Sequence, residues 1–323
     1  MSLALTPPIK PQLALSRREL PTGDEYVYEV KLDGFRCVAF VDGDDVFLQS
    51  RTGKPLGRYF PELALPRGAY VLDGEIVVRD PQGREDFDAL GQRIHPAASR
   101  VERLAHETPA VYVAFDLLAL ERRSLLGLPF SERRDELVRL LAEKRFDAAP
   151  IELMESTADV SRADEWLVGA EGAIAKERTA RYRPGERKGM VKVKRVRTID
   201  AVVVGWRPGK EPDTVGALIL GLYDDSRGEE QLRVVGHCSG LRASEKRRLV
   251  SFLAPYATGE RGTADPSRWS AGRELEWVAL RPELVVEIDF DHVSAGRIRH
   301  GAKLRRWRED KSPEACTFDQ LAA

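Results

Sequence analysis

Glu29-Val30-Lys31-Leu32-Asp33-Gly34-Phe35-Arg36 carries a lysine at the end of one strand-like run and an arginine at the start of the next, with an acid and a glycine between them. Before it, Tyr26–Lys31 reads as a strand. After it, Phe35–Val41 and Val46–Ser50 read as two more, and Asp42-Gly43-Asp44-Asp45 supplies the hairpin turn between them. A sheet therefore begins at this lysine. Four residues of the pattern Lys-x-Asp-Gly also suit an ordinary surface turn, so the octet gains its meaning from the segments that follow.

Further along, Tyr70–Val78 and Val111–Leu120 are strand-like runs of valine, leucine and aromatic residues. Ser131 reads as the N-cap of a helix through Leu137, Leu140 and Leu141, and a second helix is expected over Ala158–Val168. Strands at Gly172–Glu177 and Gly189–Val196 follow. After Arg197 the texture becomes β-rich: Ile199–Trp206, Ala217–Tyr223, Leu232–Gly236, Glu274–Leu280 and Leu284–Phe290, interrupted by one helix, Ser244–Tyr256. Five short strands and a helix fit a small Greek-key barrel of the oligonucleotide-binding type. The expected boundary lies near Thr198, dividing the chain into 1–197 and 198–323, and the fold class is α+β.

The 323 residues are 42% hydrophobic and 32% charged, enough apolar material for two cores and no signature of disorder. No run approaches the roughly 18 apolar residues of a membrane span, and Met1–Pro11 lacks the basic-then-apolar order of a signal peptide, so a cytoplasmic protein is expected. Cys37, Cys238 and Cys316 are far apart without Cys-x-x-Cys spacing and read as small core residues, not as zinc ligands or a disulfide framework. The net charge of −1 conceals two basic concentrations, Arg183–Arg197 and Arg297–Lys311. Either alone could be a solvated face; together, in a near-neutral chain, they point to a polyanionic partner. Only twelve of the 51 basic residues are lysine. The lysines draw scrutiny because an amine can lose its proton and act as a nucleophile, which a guanidinium in practice does not.

The octet is followed by Ser50-Arg51-Thr52-Gly53, Leu72-Asp73-Gly74-Glu75, Phe115-Asp116, Glu171-Gly172-Ala173-Ile174-Ala175-Lys176, Lys192-Val193-Lys194 and Arg308-Glu309-Asp310-Lys311. In this order and spacing the chain resembles, over nearly its whole length, the covalent nucleotidyltransferase superfamily of DNA ligases, RNA ligases and mRNA capping enzymes. Within it the sequence is most similar to the small stand-alone bacterial ATP-dependent DNA ligases of the C type and to the ligase domain of the end-joining ligase D. The resemblance implies a nucleotidyltransferase domain of ATP-grasp-like antiparallel sheets with helices, followed by an OB-fold barrel.

It also implies chemistry. Lys31 would attack the α-phosphate of ATP, for which its amine must be neutral. Positive neighbours such as Lys192, Lys194 and a bound Mg2+ or Mn2+ disfavour the protonated form and offset charge on the phosphates. Asp33 belongs with these catalytic residues, and Glu171 and Glu75 would hold the metal through hard oxygen ligands. Phe115 would stack on one face of adenine and Ile174 pack on the other, with Glu29 accepting from the exocyclic amine. Lys176 also falls among the nucleotide-binding positions. Glu75 would hold the ribose hydroxyls, Arg36 would lie near ribose and phosphate, and Arg51 would bind the 5′-phosphate of a nick. Arg308, Asp310 and Lys311 match the segment that orients pyrophosphate, which implies a barrel that closes for the first step and turns away for DNA. Taken singly, Phe115 could be core, Asp73 and Asp116 could be turn or strand-end residues, and Lys176 a surface charge. Glu75, Glu171, Lys192 and Lys194 are harder to dismiss, because charges on apolar strands are costly unless partnered.

Two departures stand out. Many relatives carry tryptophan where this chain has Met190, and the twenty-odd residues before Tyr26 leave no room for the extra nicotinamide-binding domain of NAD-using ligases, so ATP is the expected nucleotide. The expectation is a bacterial DNA-repair ligase, acting as a monomer without a membrane on nicked duplex DNA, gripping phosphates and reading few bases. Its protein partners are unknown. An RNA ligase or a GTP-dependent capping-type enzyme is the alternative within the superfamily, and a non-catalytic DNA-binding module is the alternative outside it.

Overall fold

The computed structural model describes residues 3–224, 231–264, 275–294, 296–299 and 301–321. The chain divides into two compact units, Met1–Arg195 and Val196–Ala323.

Two sheets build the first unit. One has the strand order Leu15–Ser16, Met190–Lys194, Gly172–Glu177, Tyr26–Val30, Ser156–Thr157. The other runs Asp45–Ser50, Phe35–Gly43, Gly68–Val78, Ala110–Leu120, Arg123–Ser124, with Ile151–Leu153 parallel beside Ala110–Leu120. The two-residue period of a strand sends alternate side chains to opposite faces. In the first sheet Tyr28, Ala173, Ala175, Val191 and Val193 bury one face with Ala163 of the helix Val160–Gly169. In the second, Cys37, Ala39, Leu72 and Ile76 bury theirs with Leu90, Leu137 and Leu140 of the helices Phe87–Gln92 and Phe130–Leu141. Each such fully buried large side chain contributes on the order of 1.5–3 kcal/mol.

Local signals account for several element ends. Asp42 pairs with Asp45 across the expected hairpin, and Gly43 takes the positive φ of +68° that the turn demands. Asp159 caps the helix Val160–Gly169 by accepting from the Ser161 N–H at 2.9 Å. Ser131 does not cap its helix. Pro129 occupies the N-cap, Phe130 is buried as the first helical residue, and the Ser131 N–H bonds to the Arg178 carbonyl at 2.9 Å. A proline with fixed φ and a buried aromatic thus set this start in place of a hydroxyl. The helices Phe87–Gln92 and Ala98–Glu107 did not emerge from the sequence reading.

In the second unit five strands close on themselves: Arg197–Pro208, Val215–Asp224, Gln231–Gly240, Ala302–Trp307, Val285–Phe290 and back to Arg197–Pro208. Among the described residues of these five strands, the third strand and Ala302–Trp307 pair in parallel and the other neighbours antiparallel. The helix Lys246–Leu253 lies between the third and fourth strands in sequence and turns Leu249 and Leu253 into the core. This is the oligonucleotide-binding barrel, with one exchange relative to the sequence reading. Leu275–Leu280 is not a stave; it pairs with Ala257–Ala264 and, at Gly205 and Trp206, with the outside of Arg197–Pro208. Glu274 of the expected strand lies outside the described residues. The fifth stave is Ala302–Trp307, hidden in the sequence inside a basic run. Ala302 and Leu304 pack inward while Lys303, Arg305 and Arg306 are exposed, or partnered across the sheet by Glu287 and Asp289. All three cysteines are buried core residues.

Candidate active site

The strand register assembles the site. Ile174 lies opposite both Glu29 and Lys192, while Gly172 lies opposite Lys194 and accepts from the Lys31 N–H at 2.9 Å. With the period of two, Glu29 and Lys31, Ile174 and Lys176, and Lys192 and Lys194 all project from the face opposite the buried alanines and valines. The middle row requires a residue without a side chain: Gly172 has φ +148°, and a Cβ there would stand 2.1 Å from the Val193 carbonyl oxygen. Gly34 is equally constrained, with a virtual Cβ 2.4 Å from the Ile76 carbonyl oxygen.

At the end of these rows the Lys31 ammonium is paired with Glu171 Oε2, and Lys194 Nζ lies 3.7 Å from Glu171 Oε1. One carboxylate therefore bridges two amines. Lys192, on the neighbouring row, has its pKa lowered by desolvation and then by the charges of Lys194, Lys31 and Arg51. Asp33 is half-buried just after Lys31, and Arg51 is exposed in the turn after Asp45–Ser50.

The second sheet offers its own polar face. Arg36 and Glu75 are cross-strand partners, and Asp73 is two residues before Glu75 on the same side. Arg36 donates to both oxygens of the fully buried Asp73 at 2.6 and 2.7 Å, and its guanidinium lies 4.4 Å from the Phe115 ring centroid. The Tyr182 hydroxyl donates to Asp73 Oδ2 at 2.6 Å and accepts from the Gln12 N–H at 3.0 Å, and Gln12 in turn offers its carbonyl to Arg36 at 3.4 Å. Arg36, Asp73, Tyr182 and Gln12 thus form a closed ring of hydrogen bonds. Burial holds the Glu75 carboxyl up at about 7, with Arg36 and Lys31 opposing the shift and Asp73 and Glu171 adding to it. Carboxylates so gathered suit a hard divalent cation, which would relieve that shift.

Lys176 is no surface charge. It is 4% exposed, pairs with Glu29 at 2.7 Å, donates to the Phe115 carbonyl at 3.3 Å and lies 4.5 Å from the Phe115 ring centroid. Burial raises the pKa of Glu29 and lowers that of Lys176, each opposed by the other's charge. Glu29 Oε1, although buried, has no hydrogen-bond partner among the described residues. Asp73 and Asp116 are likewise not turn residues: both are buried inside long strands.

Arg308, Asp310 and Lys311 form a separate group on the barrel. Arg308 donates to both oxygens of Asp200 and both of Asp310, and Lys311 Nζ lies 3.0 Å from Asp200 Oδ2. The Arg308 hydrogen bond draws the Asp310 carboxyl down to about 2. The sequence reading overlooked Asp200, Tyr182 and Gln12. Asp200 and Tyr182 find their acidic or basic partners more than a hundred positions away, Gln12 links Tyr182 to an arginine 24 positions off, and only Asp200, a polar residue within an apolar strand, carried a local signal.

The matches to known proteins cover both units. The family model described as "ATP dependent DNA ligase domain" matches residues 11–194, and "ATP dependent DNA ligase C terminal region" matches 211–311. The chain is 44% identical over 343 residues to DNA ligase C1 of Mycolicibacterium smegmatis, covering 99% of this chain and 96% of that protein. It is 31% identical over 324 residues to the multifunctional non-homologous end joining protein LigD of Pseudomonas aeruginosa, covering 97% of this chain and 37% of that protein. Among solved structures it is similar to a mycobacterial DNA ligase D complexed with ATP and MES, with TM-score 0.53, 29% identity, and 96% of this chain and 98% of that one covered. On the family models, the relatives and the shared two-unit plan, the chain belongs to the ATP-dependent DNA ligase family.

Proposed function

We propose that this chain seals 5′-phosphate/3′-hydroxyl nicks in duplex DNA during repair, acting as a monomer through an AMP carried on Lys31. The observation that carries the reading is the single sheet face on which Lys31 meets Glu171 and Lys194, with Lys192 one row away. In the first step the Lys31 amine, having lost its proton, bonds to the α-phosphorus of ATP, and the bond to pyrophosphate breaks. A nick's 5′-phosphate oxygen then displaces Lys31 and takes AMP. Finally the 3′-hydroxyl, losing its proton, attacks the 5′-phosphorus, and AMP departs.

The residues divide this work by chemistry. Lys192 and Lys194 offset charge on the transferring phosphate. The buried Glu29 Oε1 is an open acceptor suited to the adenine amine, with Ile174 and Phe115 as its apolar walls and Lys176 fixing the carboxylate's other oxygen. Arg36 and Glu75 serve the ribose and phosphate end, and Arg51 a nick's 5′-phosphate. Glu171 and Glu75, with Asp33 beside them, would hold Mg2+ or Mn2+, which when bound supplies Lewis-acid stabilisation of the phosphate oxygens. Arg308, Asp310 and Lys311 serve the pyrophosphate. On this reading 1–197 is the adenylation domain and 198–323 the barrel that contributes to the grip on DNA.

The test is a duplex with one 5′-phosphorylated nick, incubated with protein, Mg2+ and ATP, GTP or NAD beside Lys31→Ala, and resolved on a denaturing gel. Sealing with ATP alone, lost in the variant, supports the reading. Sealing of RNA only, or labelling by GTP, would overturn it.

A further inference from the structure

The three barrel residues read as serving pyrophosphate are not presented by themselves. Arg308 Nη1 donates to Asp200 Oδ1 and Oδ2 at 2.9 and 3.0 Å, and Lys311 donates to Oδ2 at 3.0 Å, so one carboxylate holds two cations side by side. Asp200 is 13% exposed, against 18% for Arg308 and 25% for Lys311. It is itself fixed by a local lock: its N–H donates to Gln320 Oε1 at 3.1 Å, and its carbonyl accepts from Gln320 Nε2 at 3.2 Å. It stands near the start of the first stave, Arg197–Pro208, whereas Arg308 and Lys311 follow the last, and no motif of the sequence marks it.

Two cations this close repel each other, and each long side chain loses rotamer freedom when held. A carboxylate bound to both removes the repulsion and meets the ordering cost before any ligand arrives, while donors of Lys311 and Arg308 remain available to a second anion. Asp310 takes the opposite edge of the guanidinium, leaving Arg308 clamped between two acids.

We propose that Asp200 is a positioning residue for the adenylation step: it pre-assembles Arg308 and Lys311 as a pair for the β- and γ-phosphates of ATP. This rests on the ligase reading above. It requires that Asp200 matter for forming lysine-AMP and not for joining a nick that already carries AMP, where no pyrophosphate is involved.

The experiment uses full-length, de-adenylated protein and reads two steps separately: labelling with α-32P-ATP over a range of ATP concentrations, and sealing of a chemically pre-adenylated nick without ATP. Asp200→Asn should slow labelling at sub-saturating ATP by about ten-fold, the size expected when two charge-assisted contacts lose their organiser. Sealing of the pre-adenylated nick should stay within about two-fold of wild type, which also certifies that the variant is folded. Added to Arg308→Ala/Lys311→Ala, the same change should cost nothing further, since its targets are gone. Equal loss in both steps, wild-type or faster labelling, or an additive loss in the triple variant would each overturn the assignment. A wild-type protein that forms no lysine-AMP would instead overturn the ligase reading on which it stands.

Discussion

Two buried ion pairs of the first unit, built from the same chemistry, differ in how completely they are satisfied. Arg133 meets Asp116 through two parallel hydrogen bonds of 2.7 and 2.8 Å and gives its Nη1 donors to the Leu128 and Ala180 carbonyls. Lys176 meets Glu29 through one oxygen, and the other has no hydrogen-bond partner among the described residues. A closed pair is a structural joint, because every charge taken out of water has been answered within the protein. An open pair holds a buried acceptor in reserve, and a buried acceptor without a donor is costly enough that a ligand supplying one is strongly selected. On the proposed reading, the distinction separates groups that join the elements of the first unit from groups that await the nucleotide.

The largest expected effect tests the face on which the open pair lies. Lys31→Ala should abolish labelling by ATP, a loss on the order of 10^4-fold or more, with the fold kept; an enzyme-AMP adduct in that variant, found by mass spectrometry, would move the nucleophile elsewhere. Next comes the closed pair. Arg133→Met leaves Asp116 buried and uncompensated and should cost roughly 3–5 kcal/mol in urea unfolding, with the KM for ATP near normal in whatever remains folded. A variant of unchanged stability would show that the closed pair is not the joint described here.

The open pair should respond in the opposite sense. Glu29→Gln should cost less stability than Arg133→Met yet raise the KM for ATP about ten-fold and weaken the preference for ATP over GTP, as measured by competitive labelling. If the two variants behaved alike, the contrast between the pairs would have no functional content. Tyr182→Phe removes one donor from Asp73 in the ring that includes Arg36 and should cost about 1 kcal/mol in unfolding, with a modest rise in KM for ATP. The smallest effect concerns pH. The Glu75 carboxyl is raised from 4.5 to about 7, so between those values the folded protein binds more protons than the unfolded one, and metal-free stability should fall as pH rises through that window and level off above it. Thermal melts of Glu75→Gln should show a flatter profile; an unchanged slope would assign the dependence to another group.

Glu171 and Asp200 extend the same lesson across the two units. Each is a carboxylate touching two cations, yet only Glu171 could be found by reading the chain. Glu171 lies in a short motif beside a glycine whose backbone conformation excludes other residues, immediately before a strand whose alternation is clear. Asp200 has as its neighbours a threonine, an isoleucine, an alanine and a valine, and nothing local distinguishes it from a polar residue at a strand's solvent face. The fifth barrel stave was missed for a related reason. Ala302-Lys303-Leu304-Arg305-Arg306-Trp307 reads as a charge run because a register shift opposite Glu287 and Ile288 breaks its alternation, and its arginines are paired by acids contributed from another strand. The hairpin segment Leu275–Leu280 looked more like a stave because its apolar pattern is cleaner.

What the chain determined by itself depends on neighbours within a few residues: the strands around the octet, the hairpin turn at Gly43, and the two-residue period that puts Glu29 with Lys31, Ile174 with Lys176 and Lys192 with Lys194 on one side of their strands. The order of motifs was enough to indicate the family. Only the tertiary structure decided which charges are closed and which are open, which run completes the barrel, and which distant acids hold Arg36 and Arg308. The physical reason is that satisfying a buried charge is a pairwise matter. A hydrogen-bond partner 108 positions away leaves no trace in local periodicity or propensity, and it becomes visible only when folding brings the two strands to one place.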